Sequence, residues 1–276
     1  MKTSFITSLT LILLLFCITS CSTDYRTKTE DQREQEKALR YNIKNIREYK
    51  STFQFGVEQK PQLSNLKNFD EDGIKRKETA YSDGNIQSIT TFEYDKNDNL
   101  ITKNGMYQDS SFLFKITQNY YENNLRKEYY FYLPNGTYKY RNLATYDDSG
   151  RMTELKYYWP TGIKSINKYQ YRGDKKTEDV EYSPTGEFKY RWIYKYDNRD
   201  NLVEAVQYYP DSIINGKNTY EYDSGKLLIK QVNYLGESVQ NIFIFTYNDK
   251  KLVASETEMT SSGTIYAKYT YEYDYY

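Results

Sequence analysis

Two kinds of residue in this chain of 276 could do chemistry: clustered oxygen ligands and mid-strand carboxylates. The first is densest in YDNRDNL (196–202), where Asp197, Asn198, Asp200 and Asn201 crowd together, and YDKNDNL (94–100) repeats the pattern. Such spacing could hold Ca²⁺, but both stretches lack the glycine and the distal bidentate Glu of an EF-hand loop. Asp and Asn also favour turns, because their side chains accept hydrogen bonds from backbone N–H groups just ahead. The cluster is therefore read as a turn, and no metal is expected. The second kind comprises Glu154, Glu178 and Glu204, which recur in successive stretches of similar pattern. Two carboxyls about 5–10 Å apart could cleave a glycosidic bond. Ladders of charge with Lys156, Lys164 and Lys168 account for the same residues more simply.

What is missing narrows the chemistry further. There is no His, which removes Ser-His and Cys-His nucleophiles, the usual proton shuttle and the commonest metal ligand. No Gly-x-Ser-x-Gly motif and no Gly-rich phosphate loop occurs. The expectation is a protein that is not an enzyme and carries no cofactor. With 38 Lys and Arg against 38 Asp and Glu, bulk charge does not steer the chain toward nucleic acid.

The remaining chemistry is aromatic. Tyr occurs 34 times while apolar residues total only 38%, so a thick aliphatic core is hard to build. A Tyr ring covers apolar surface and leaves its hydroxyl in water, which suits thin, partly wetted sheets. Exposed Tyr and Trp also make platforms for sugars and partner proteins. Trp159, Tyr190, Trp192 and Tyr194 form the candidate binding face, although the same rings can equally serve to hold a sheet together.

The elements that position these residues begin with an export signal. Lys2 supplies a positive start, Phe5 to Ile18 form a mostly apolar run, and Ile18-Thr19-Ser20-Cys21 follows. This run resembles the lipobox of bacterial lipoproteins. The resemblance implies cleavage of residues 1–20, acylation of Cys21 and a membrane anchor on its thiol. Ser22 fits outer-membrane sorting in the lipoprotein pathway, so the expected place is the cell envelope. Cys17 leaves with the signal, so the mature chain has one thiol and no disulfide. Within 21–60, a polar tether from Asp24 to Lys37 precedes a short helix over about 36–49, read from Leu39, Ile43 and Ile46 at i, i+4, i+7.

From 61 to 276 the chain repeats itself. An aromatic followed by a turn former or a charge recurs at Phe69, Tyr94, Tyr121, Tyr146, Tyr171, Tyr196, Tyr222, Tyr247 and Tyr273, in steps of 25 to 27 residues. Asp95, Asp147, Asp197 and Asp223 mark the turns after these aromatics. Second turns fall halfway between, at Gly136, Gly162 and Gly186 among others, and four of the five prolines sit in them. Period-two alternation fills the intervals: Phe188, Tyr190, Trp192, Tyr194 and Tyr196 share one side, and Lys189, Arg191, Ile193 and Lys195 the other. The same aromatic face returns at Tyr138 and Tyr140, at Phe243 and Phe245, and at Tyr269 and Tyr271. The fold expected is all-β: a curved, mostly single-layer antiparallel meander of about 16 to 18 strands with a short N-terminal helix.

The pattern in YDDSGRM (146–152), YDSGKLL (222–228), YDKNDNL and YDNRDNL resembles the YD repeat of the RHS family, over about 60 to 276. In that family tandem units form a spiralling sheet that can wrap a polypeptide, often a toxin. The resemblance implies an open, curved sheet or a small barrel here rather than a cage, and YTYEYDYY ends the chain with no cargo segment after it. A related resemblance is to the MORN-like repeats of some bacterial antitoxins. The function expected is a non-enzymatic, membrane-anchored lipoprotein presenting a Tyr-rich surface to proteins or glycans. An immunity partner of a secreted toxin is the alternative, and a glycan-processing enzyme a further one. A last strand with a free edge would invite pairing with a partner or with a second copy.

Overall fold

The computed structural model of this protein describes residues 29–276; the expected signal segment, Cys21 and Ser22 lie outside the described residues. Helix α1 (Glu30–Tyr41) opens on a reciprocal capping box, in which the Thr29 hydroxyl accepts from Gln32 N–H and the Gln32 side chain accepts from Thr29 N–H. Glu30 and Asp31 lie in its first turn, at the positive end of the helix dipole. Asn42, left-handed at φ 52°, ends it. The helix expected over 36–49 therefore lies further toward the N-terminus, within the stretch read as a tether. Ile43 and Ile46 belong to the first strand instead. A bulge between Ile43 and Asn45 brings both onto one face three residues apart, which imitates helical spacing.

The strands then run as an up-and-down meander. They are β1 (Ile43–Gln54), β2 (Val57–Glu58), β3 (Gln62–Phe69), β4 (Lys75–Ser82), β5 (Asn85–Tyr94), β6 (Leu100–Tyr107), β7 (Phe112–Tyr120), β8 (Arg126–Tyr132) and β9 (Tyr138–Tyr146). The second half comprises β10 (Met152–Trp159), β11 (Gly162–Arg172), β12 (Lys175–Tyr182), β13 (Phe188–Tyr196), β14 (Leu202–Tyr208), β15 (Ile214–Tyr222), β16 (Leu228–Leu235), β17 (Ser238–Tyr247), β18 (Val253–Thr260) and β19 (Ile265–Tyr275).

The sheet is closed. β1 pairs with β3 on one edge and with β19 on the other, from Ile43 opposite Tyr275 to Thr52 opposite Ala267. β2 pairs only with β1, so the other 18 of the 19 strands complete an antiparallel barrel. This corrects the open curved sheet expected from the repeat. The free edge expected on the last strand is absent too, because β19 is paired on both sides. Closure satisfies the two rows of backbone N–H and C=O groups that an open sheet leaves exposed. It depends on β1, which carries no repeat signature and lies before residue 61.

One end of the barrel is built from the Asp turns. The N–H groups of Asp95, Asp147, Asp197 and Asp223 each donate to the carbonyl four residues on. Their Oδ1 atoms accept from the backbone N–H four residues ahead at 2.8–3.0 Å. The acidic cluster at 197–201 is part of this device: Asn201 Nδ2 donates to Asp197 Oδ2 at 2.8 Å. The other end carries the Pro and Gly turns, with Gly136, Gly162 and Gly186 at positive φ.

The repeated Tyr has a structural task. The hydroxyls of Tyr94, Tyr120, Tyr146, Tyr171, Tyr196, Tyr222, Tyr247 and Tyr273 each donate, at 2.7–2.9 Å, to the carbonyl near the start of the preceding even-numbered strand. Tyr120, not Tyr121, occupies this rung, and the Tyr121 N–H closes the turn where other units place Asp. Tyr222→Phe leaves the buried Leu202 carbonyl without this donor. A loss of about 1 kcal/mol is expected in thermal unfolding, and an unchanged midpoint would show that the rung is not stabilising.

Candidate functional site in the barrel lumen

Residues opposite each other on paired strands share a face, so the strand registers sort every side chain into lumen or outer wall. On β13 the lumen takes Tyr190, Trp192 and Tyr194. Trp192 lies between Asp179 on β12 and Gln207 on β14, and Tyr194 opposite Ala205. Trp192 and Tyr194 join Tyr196, Tyr220, Tyr222, Phe243, Phe245 and Tyr247 in one cluster along the inner wall of β13–β17. Trp159 is separate: it ends β10 at the Pro–Gly end, is 48% exposed, and stacks under the Lys164 ammonium 4.4 Å from its ring centre. Two of the four candidate residues, Trp192 and Tyr194, are thus packed together, Tyr190 shares their face, and Trp159 stands apart.

The outer wall carries rows of ion pairs. Glu154 pairs with Lys156 at 2.9 Å, Glu178 with Arg191 at 3.6 Å, Glu204 with Lys195 at 2.6 Å and Glu221 with Lys230 at 2.9 Å. The three carboxylates weighed for glycoside cleavage are thus members of outer ion pairs. Lys168 stands directly across from Glu154 on β11 with its ammonium over the Tyr182 ring, and Lys164 lies over Trp159. A bilayer-spanning barrel carries an apolar outer band about 25 Å tall, and each Lys or Arg at its midplane costs about 2–4 kcal/mol. Charge on strand after strand makes this outer wall a surface for water.

Part of the inner wall is open to solvent. Tyr190, Trp192, Tyr194, Phe114, Phe131 and Tyr140 face inward yet remain half-buried, as expected when a barrel of about 16–18 strands leaves an aqueous interior. Sequence reasoning missed a second aromatic wall there. Phe114 stacks on Phe131 at 5.9 Å, Phe131 on Tyr140 at 5.3 Å and Tyr140 on Tyr129 at 6.0 Å, all within 15° of parallel. Gly105 on β6 makes room for it, since a Cβ at that position would collide with the Phe114 ring. The isolated glycine in a strand pattern was the available signal.

Polar groups interrupt the rings. Asn167 Nδ2 donates to Asp179 Oδ1 at 3.0 Å, and Tyr190 donates to Glu181 at 2.5 Å. Burial raises Asp179 above the ordinary carboxylate range, against the opposing pull of Lys176 and Asn167. Lys176 sits 4.5 Å from the Tyr194 ring centre. Toward the Asp end, α1 leans into the lumen: Ala38 packs on Ile43, Phe69 and Leu252, while Asp31 and Glu34 meet Lys67, Lys75 and Lys103. Gly73 permits this approach, because a Cβ there would strike the backbone at Gln35 and Leu39. Among the described residues, no three acidic, Cys or His side chains converge as a metal site.

No family model matches the chain, and no curated protein matches it. Among solved structures it is similar to a porin-like protein from Bacteroides uniformis, at 13% identity over 84% of this chain and 98% of that one, with a TM-score of 0.47. A porin-like protein from Bacteroides vulgatus aligns at 12% identity over 67% and 94%, with a TM-score of 0.41. A TcdB2-TccC3-TEV structure aligns at 10% identity over 76% of this chain but 13% of that one, with a TM-score of 0.29. The barrel rests on its own strand pairings, and these likenesses assign no activity.

Proposed function

We propose that this protein is a non-enzymatic, lipid-anchored lipoprotein of the cell envelope that takes a ligand into its barrel. The observation that carries this reading is the inner wall: stacked aromatic rings face the lumen and stay partly exposed there beside a few polar and charged groups, while rows of ion pairs face out. Aromatic walls interrupted by a few polar groups are the usual make-up of a binding cavity. The Tyr-rich face is therefore an inner surface, not one presented outward to a large partner. The lipobox-like Cys21 supplies the anchor in this reading, and the helix entering the Asp end follows it closely in the chain.

The chain has two Trp residues, so Trp159→Phe leaves Trp192 as the sole indole and a reporter of the lumen. Small soluble peptides and oligosaccharides fractionated from the envelope would be titrated against this variant. A fraction that occupies the lumen is expected to cut acrylamide quenching of Trp192 by about half, as burial of most of a ligand's surface requires. The same effect should be lost in a folded Tyr190→Ala, Tyr194→Ala variant. If ligands that bind the full chain leave Trp192 unchanged, binding lies elsewhere and the reading fails.

A further inference from the structure

On the lumen face of β18, Glu256 and Glu258 stand two residues apart and so point the same way. Glu256 lies between Phe245 on β17 and Tyr269 on β19, and Glu258 between Phe243 and Ala267. Both acids are 7% exposed, and Phe243 and Phe245 are as deeply buried. The Oε1 atom of Glu256 has no hydrogen-bond partner. On β16, Gln231 is the partner of Phe243 from the other side and is 3% exposed. Its Nε2 donates to Asn233 Oδ1 at 2.7 Å, and its Oε1 is also without a donor. Two unpaired acceptors therefore flank the Phe243–Phe245 pair. Leaving a buried acceptor unmet costs about 1–3 kcal/mol, so the pair is arranged for a donor that the described residues do not supply.

The charges around Glu256 specify that donor. Glu258 on its own strand and Glu48 on β1 both act on it as like charges, and Tyr269 and Tyr271 face it from β19. The nearby lumen cation, Lys50 on β1, lies 5.4 Å over the Tyr269 ring and acts on Glu258. Tyr266, whose hydroxyl donates to Asn241 Oδ1 at 3.4 Å, also acts on Glu258. We propose that Glu256, Glu258 and Gln231, walled by Phe243, Phe245 and Tyr269, form a subsite for an organic ammonium, a linear aliphatic amine or diamine. It rests on the lumen being the ligand compartment. An ammonium brings three N–H donors and no acceptor, matches the excess of carboxylates, and gains from the aromatic faces. Gln231 and Glu258 lie two strand spacings apart on one rung, roughly 9–10 Å between backbones, with Glu256 two residues further along, so a diamine crossing the Phe243 ring runs from Gln231 to the carboxylate pair. Burial, with Glu258 and Glu48, pushes Glu256 up to about 8. An arriving cation favours the carboxylate and so expels a proton.

The test is calorimetric titration of the full chain with 1,4-diaminobutane and with butylamine at pH 7, in buffers of differing ionisation enthalpy. The diamine is expected to bind more tightly than the monoamine and to release up to about one proton per site. Glu256→Gln keeps the shape, removes the proton release and lowers diamine affinity by at least about tenfold. Gln231→Leu is expected to reduce the preference for the diamine while leaving proton release intact. No heat with either amine at millimolar concentration, or equal binding to Glu256→Gln, overturns the proposal. If the amines fail while an envelope fraction still protects Trp192, only this subsite falls; if both fail, the lumen reading falls with it.

Discussion

Replacing Lys75 by methionine is expected to lower stability by about 3–5 kcal/mol, because it strips the central cation from a buried network and leaves three acids with only two cations. The Lys75 side chain is 5% exposed; its Nζ lies 2.5 Å from Glu34, 3.3 Å from Asp31 and 3.6 Å from Glu78. Lys67 reaches Glu34 at 2.6 Å and Lys103 reaches Asp31 at 2.8 Å, so three cations offset three acids. Burial alone would raise Glu34, but Lys67 and Lys75 hold it far below the usual carboxylate range; Asp31 is lowered in the same way by Lys103 and Lys75. Folded values below the unfolded ones mean that this stabilisation is present above about pH 4–4.5 and is lost as pH falls through the folded values. The network joins α1 to β3, β4 and β6, while the barrel itself closes through β1. Lys75→Met is therefore expected to expose residues 29–42 to protease before the barrel unfolds, with Glu34→Gln in the same chain recovering part of the loss. Unfolding in one step, with the helix protected throughout, would show that α1 is integral to the barrel.

Glu256 is expected to act in the opposite direction. Its folded value of about 8, raised first by burial and then by Glu258 and Glu48, exceeds the unfolded value of 4.5. The folded state keeps a proton that the unfolded chain releases, so the group's contribution is complete below about pH 4.5 and declines as pH rises to about 8. The slope approaches 1.4 kcal/mol per pH unit, or a few kcal/mol across the window. Glu258 and Asp179, raised mainly by burial, add in the same sense. Glu256→Gln should match the wild type in thermal unfolding near pH 5 and exceed it increasingly toward pH 8. Parallel stability curves for the two proteins would sink the assignment of a buried proton. Together with the α1 network, maximum stability is expected on the acid side of neutrality, near pH 5.

The same two networks divide the lumen. Near the Asp end the cations outweigh what the strands themselves supply in acid, and α1 brings the balancing carboxylates. Further along, Glu48, Glu256 and Glu258 have Lys50 as their nearby cation, which leaves room for one brought by a ligand.

Much of the local structure is legible in the residues. Asp197 and Asn201 read as a turn and make one, because the Asp side chain accepts from the backbone that reverses the chain. The alternation of Tyr190, Trp192 and Tyr194 with Arg191, Ile193 and Lys195 defines two faces. The register of the unit at Tyr120–Tyr121 was not legible, since both neighbours are aromatic and only the hydroxyl bond to Leu100 distinguishes them. The partners of Glu178 and Glu204 were also hidden, because they sit across strand boundaries and not along one strand.

The sequence by itself determined the strands, both families of turns, and the sorting of aromatic from charged faces, since each follows from neighbours within one repeat. Tertiary structure alone decided that the sheet closes, and hence which face became a lumen. That outcome depends on accumulated strand twist over the whole meander and on β1 meeting β19 more than 220 residues away, through Ile46 opposite Tyr273. No pattern within a repeat of about 25 residues carries such information, because a two-faced strand satisfies an open sheet and a closed one equally well until its last edge finds a partner.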